Sequence, residues 1–217
     1  MRVTSLLCAL PLLLAACTPE NAMTAAMSPQ PTDGPSPAQG RAALNPAPRQ
    51  AYELLLTLAD VPGPFAQVEG VAQYDVVNED QCGHVNPLTG SAERITHQQP
   101  VALEQVGPGQ YRGRVYLDLM LDQDYYGRGV CQWQFSGAGT LLKATGAAGE
   151  TRFTAFIDAR AIAEGQTVTR LYPATDYPRV AEIDDYGQPG KADAGSYVAT
   201  LREQLFSATL QANKVDN

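Results

Sequence analysis

An all-β, antiparallel sandwich is the fold class the sequence predicts, and three observations predict it. Short runs of alternating apolar and polar residues recur with turn residues between them. No stretch carries a long helical period. Two cysteines, Cys82 and Cys131, remain in the folded part to form one disulfide. The architecture expected is immunoglobulin-like or C2-like, one domain over residues 50–217, with a short helix near the C-terminus.

The amino end reads as an export signal. Met1-Arg2 is positively charged, Leu6 to Leu14 is apolar apart from Pro11, and Leu14-Ala15-Ala16-Cys17 closes the run. It is too short for a mature transmembrane helix, so residues 1–16 read as a signal peptide. A small-residue site ending on cysteine resembles the bacterial lipobox, which makes Cys17 the lipidated first residue of the mature chain. In such lipoproteins Asp after the cysteine retains the protein at the inner membrane; Thr18 points instead to the outer membrane, facing the periplasm. Residues 17–49 then form the lipid anchor and a tether, with seven prolines among Ala, Ser, Thr, Gln and Gly and no apolar period to bury.

Within the domain the elements follow in order. Tyr52, Leu54, Leu56 and Leu58 alternate as a first strand, and Val68 to Val77 as a second, with Gly70 as a candidate bulge. Glu79 to Ser91 is rich in turn residues, and Val101 to Val106 reads as a short strand. The clearest strand runs from Tyr111 to Leu121, with Arg112, Arg114, Tyr116 and Asp118 on its wet side. Cys131, Trp133 and Phe135 alternate next. Thr140–Thr145 and Thr151–Ile157 read as a hairpin in which Phe156 faces away from Phe153, Ala155 and Ile157. A single helical turn is expected at Ala159–Glu164, a strand at Thr167–Tyr172, thin order from Pro173 to Ser196, and a last strand from about Leu205 to Ala212. A Cys-x-Trp strand is also found in immunoglobulin domains, but there the Trp lies between the two cysteines, and here Trp133 follows the second.

Residues 50–217 carry 12 Lys and Arg against 21 Asp and Glu, a balance of −9. That excludes nucleic acid as a natural partner and favours a protein with a basic patch. No nucleophile elbow, phosphate loop or His-Glu-x-x-His motif occurs, and the only histidines are His84 and His97, so no enzyme activity, catalytic residue or cofactor is expected. Asp122-Gln-Asp124 begins like a calcium loop, yet Tyr126 stands at the fifth position and Trp133 at the twelfth, where oxygen ligands belong. A calcium site outside that motif, gathering Asp118, Asp122 and Asp124, is the one metal alternative. The chemistry on offer is recognition: Asp122, Asp124, Tyr125 and Tyr126 in one loop, and Asp184, Asp185 and Tyr186 in another, place amphipathic rings beside carboxylates. The competing reading is that these tyrosines fold back over the ends of the sandwich.

At Asp124-Tyr-Tyr-Gly-Arg-Gly-Val-Cys131-Gln-Trp133, with Tyr116-Leu-Asp-Leu119 upstream and Cys82-Gly-His84 earlier, the chain resembles a group of small bacterial lipoproteins encoded beside secreted antibacterial effectors, notably phospholipase toxins of type VI and related type IV secretion systems. The resemblance spans about residues 51–157. It implies an immunity protein, anchored in the membrane through its lipid, that binds a cognate secreted effector; the inhibition expected is occlusion of the effector's active site or the blocking of a motion it requires. It carries no catalytic or contact residues over to this sequence. The alternative is an envelope binding or assembly lipoprotein that recognises a glycan, a lipid or a complex component.

Overall fold

In a computed structural model the described residues are 42–215; the expected signal peptide, the expected lipidation site Cys17 and the expected tether as far as residue 41 lie outside them. Ten strands and three short helices follow one another: β1 Ala51–Ala59, β2 Gln67–Val76, α1 Glu79–Cys82, β3 Thr96–Val101, β4 Glu104–Gly107, β5 Gln110–Tyr116, β6 Trp133–Lys143, β7 Arg152–Asp158, α2 Ala159–Ala163, β8 Thr167–Pro173, β9 Gly187–Gln188, α3 Ala199–Arg202 and β10 Leu205–Lys214. They form two five-stranded sheets, ordered β4-β5-β1-β10-β8 and β3-β2-β6-β7-β9. All pairings are antiparallel except the short β7–β9 ladder. The chain is a β-sandwich.

The alternation read from the sequence sets which face is buried. Leu54 and Leu56 of β1, with Phe206 and Leu210 of β10, meet Tyr74 of β2, Leu142 of β6 and Phe153 and Ile157 of β7. Two buried tyrosines also bond across the interior. Tyr74 Oη donates to the Tyr116 carbonyl at 2.5 Å, and Tyr172 Oη to the Thr154 carbonyl at 2.8 Å. Each leaves one sheet and ends on the other. Burial pushes both hydroxyls well above the usual tyrosine range, so they stay protonated donors.

Several elements differ from the sequence reading. β5 stops at Tyr116, because the Asp118 carboxylate turns back to accept the N–H groups of Arg49 and Gln50 at 2.8 and 3.0 Å. The stretch expected as one strand near Val101–Val106 is two, β3 and β4, and the chain changes sheets between them. β6 is one strand of 11 residues instead of two pieces. The bulge lies at Gln73/Tyr74 on the β2–β6 ladder and not at Gly70, which pairs in register with Val101 and Thr140. Residues 173–196 are firmly tied: Thr151 Oγ1 donates to the Asp176 carbonyl at 2.7 Å, Thr151 N to the Pro178 carbonyl at 3.0 Å, and Lys191 N to the Leu171 carbonyl at 3.0 Å. Residues 42–45, placed in the tether by composition, lie along residues 119–121, with Asn45 N on the Leu119 carbonyl and Leu121 N on the Ala43 carbonyl.

Candidate functional site

The Cys82–Cys131 disulfide, with Cα atoms 5.2 Å apart, joins the end of α1 to the residue pair before β6. It does not cross the main core. Val76, Ile95 and the two half-cystines form a small second cluster, against which Tyr125, Tyr126 and Trp133 pack. This cluster is the floor of the acidic, aromatic loop at residues 122–130.

The loop is held from within. Asp124 Oδ1 accepts the N–H groups of Tyr126, Gly127 and Arg128 at 3.3, 2.7 and 3.1 Å. Desolvation alone would raise its carboxyl, but the backbone donors of Gly129, Gly127, Arg128 and Tyr126 outweigh it and hold Asp124 below the usual carboxylate range. Asp122 Oδ1 accepts Trp133 N at 2.8 Å, which fixes the loop to the first residue of β6. Tyr125 Oη donates to the Leu121 carbonyl, and its ring meets the Trp133 ring edge-on with centroids 6.5 Å apart. Arg128 donates to the Gly83 carbonyl beside the disulfide. Tyr125 and Tyr126 are therefore half-buried floor residues, whereas Asp122, Gln123 and Asp124 stay exposed.

The second acidic loop is arranged differently. Asp184 pairs with Arg179 at 2.6 Å and Asp185 with Lys143 at 3.7 Å, while Tyr186 is half-buried and its carbonyl accepts Arg152 N at 2.8 Å. Its charges already face cations of the same chain. The loop at 122–130 is the better candidate for meeting a basic surface, since of its two carboxylates neither takes part in an ion pair among the described residues.

No family model, curated protein or solved structure matches the chain. Asp118, Asp122 and Asp124 each hold backbone N–H groups at a different place, and among the described residues no three His, Cys, Asp or Glu side chains gather as a metal set. His84 is exposed after α1; His97 sits on β3 against Gln99 at 3.3 Å, with its ring edge-on to Trp133. No described helix is long and apolar enough to cross a membrane.

A feature the loop reading missed lies on the outer face of the second sheet. Asp75 of β2 is only 14 % exposed in its side chain and receives four side-chain donors. These are Thr96 Oγ1 at 2.6 Å, Gln73 Nε2 at 3.0 Å, the Arg94 guanidinium at 3.2 Å, and Ser136 Oγ. Burial alone would raise its carboxyl; the donors of Ser136, Thr96, Gln73 and Arg94 reverse this and hold it down to about 2. A carboxylate so held stays ionised, positions its neighbours and is unfit to shuttle protons at neutral pH. No residue pattern signalled this cluster; on the same face only Phe156, which breaks the alternation of β7, stood out in the sequence.

Proposed function

We propose that the chain is a lipid-anchored binding protein that captures a secreted antibacterial toxin and neutralises it by occluding its active site. The observation that carries this reading is the loop at residues 122–130. Two exposed carboxylates, Asp122 and Asp124, are fixed in advance by their own backbone bonds over a disulfide-stapled floor. A loop that is already ordered avoids most of the entropy cost of binding, and ionised carboxylates steer a basic partner toward it. The lipobox-like Cys17, the proline-rich stretch behind it, the acidic balance and the resemblance around residues 124–133 all support the same reading.

The test pairs the mature chain with the toxin encoded beside it. A stoichiometric complex and loss of toxin activity at equimolar ratio are expected; neither complex nor inhibition refutes the reading. Gln123→Arg puts a cation between the two carboxylates and removes no hydrogen bond that the loop's side chains make. It is expected to weaken the complex by about tenfold, more at low salt, with unchanged melting.

A further inference from the structure

The outer face of the second sheet is shaped by one irregularity. Opposite Gln73 and Tyr74, the β6 strand holds an extra residue, Ser136, between Phe135 and Gly137. Bulges re-aim side chains, and this one turns the Ser136 hydroxyl outward onto Asp75. Gly137 follows with φ +153°, and a Cβ there would lie 2.5 Å from the tip of the Phe156 ring. Gly139, paired directly with Phe156, would bring a Cβ within 3.0 Å of the same ring. The ring therefore lies across two successive side-chain positions of β6 that carry no side chain. It remains 38 % exposed.

Between this ring and the Asp75 cluster runs a shallow cleft of about 550 Å³, lined by Gln73, Gln134, Ser136, Phe156, Asp158 and Arg160. Every formal charge in it already has a partner. Asp75 faces Arg94, Asp158 caps α2 by accepting Ala161 N at 2.8 Å, and Arg160 pairs with Glu164 at 2.8 Å. The groups left over are neutral: the exposed Gln134 amide, and Gln73 Oε1, which points away once Gln73 Nε2 is bound to Asp75. A basic protein finds here only the single charge of Asp158, which is already turned onto the Ala161 N–H in the first turn of α2, and a lipid finds one ring where it needs a broad apolar patch.

What matches is a neutral polyhydroxylated ring with an apolar face. The electron-rich face of an aromatic ring attracts the polarised C–H groups of a pyranose. The Gln73 amide, held on Asp75, offers an acceptor, and the exposed Gln134 amide offers both a donor and an acceptor to neighbouring hydroxyls. We propose that this cleft binds a neutral pyranose-based oligosaccharide, stacked on Phe156 and hydrogen-bonded to Gln73 and Gln134. It uses none of the residues assigned to toxin capture, so either proposal can fail alone.

The experiment is titration of the 15N-labelled protein with chitotetraose and, separately, cellotetraose, read by the backbone and side-chain amide shifts. Saturable shifts are expected at Gln73, Gln134, Gly137 and Gly139 with at least one of them, below about 10 mM. Phe156→Ala is expected to weaken binding at least about tenfold, and Phe156→Tyr to retain it. Gln134→Ala removes an exposed amide, so melting should hold while binding falls about threefold or more. Gln123→Arg should bind sugar like the parent. No saturable shift with either sugar, shifts centred on other residues, or binding that survives both Phe156→Ala and Gln134→Ala overturns the proposal.

Discussion

Asp75 shows how one side chain couples a surface to stability. Its carboxyl is held down to about 2 from an ordinary 3.8, because four donors converge on the ionised form. The sign follows from that depression. The stabilisation is complete above the unfolded value of 3.8 and is lost as pH falls from there toward 2. The full linkage is at most about 2 kcal/mol, reduced by solvent around the exposed Arg94. Acid titration of melting should therefore show a fall below pH 4 that Asp75→Asn flattens; an identical acid limb in both proteins refutes the assignment. None of this was legible in the sequence. Asp75 sits in an ordinary strand pattern, and its donors come from three separate stretches, at residues 73, 94–96 and 136. Asp122 and Asp124 were legible as a conspicuous pair, but their backbone bonds were not, since those depend on a loop shape that the disulfide end creates. Tyr125 and Tyr126 followed the alternative reading, folding back over the floor of the loop.

At the level of elements, alternation carried most of the information. β1, β7 and β10 have unbroken apolar faces, and their placement followed from those faces alone. β3 has almost none: Thr-His-Gln-Gln-Pro precede Val101, and Pro100 suits it to the sheet edge, where a missing N–H costs nothing. β6 was divided in two because Ser136-Gly-Ala-Gly139 offers nothing large to bury. Those small residues are where the bulge and the Phe156 ring meet, so the least informative part of the strand is the most constrained. Gly137→Ala tests this. Its φ and the overlap with Phe156 and with the Ile157 carbonyl predict a loss of about 2–4 kcal/mol in chemical denaturation, against about 1 kcal/mol for Ala at Gly127, where φ +73° strains the backbone but no atom meets the added Cβ. Equal losses at both sites would mean that the ring does not depend on the glycine.

For the whole molecule, the two-sheet architecture was readable and the order of the segment at 173–196 was not. Its Pro and Asp content is that of a loop; what fixes it are single hydrogen bonds made by Thr151, Gln188 and Lys191, which leave no periodic trace. The disulfide was readable from counting cysteines, and its position explains how it acts. It closes 49 residues of chain that include β3, β4 and β5, and secures the floor under the acidic loop without crossing the main core. In the chain-entropy account reduction should cost about 4 kcal/mol. The measurement is a denaturation midpoint with and without reductant, beside a mass gain of two hydrogens. An unchanged midpoint would place the staple outside the cooperative unit. Loss of order at residues 122–130 should precede global unfolding, visible as faster amide exchange there.

The entry of the chain into the domain has a mechanical meaning. Residues 43–45 clasp residues 119–121, the next turn is held by the Asp118 carboxylate, and only then does β1 begin, between β5 and β10 in the middle of its sheet. Tension arriving from the amino side thus meets a clasp and then an interior strand braced on both flanks. A pull applied at residue 42 would therefore not peel the sandwich open from an edge, and would move the acidic loop together with the two sheets that carry it.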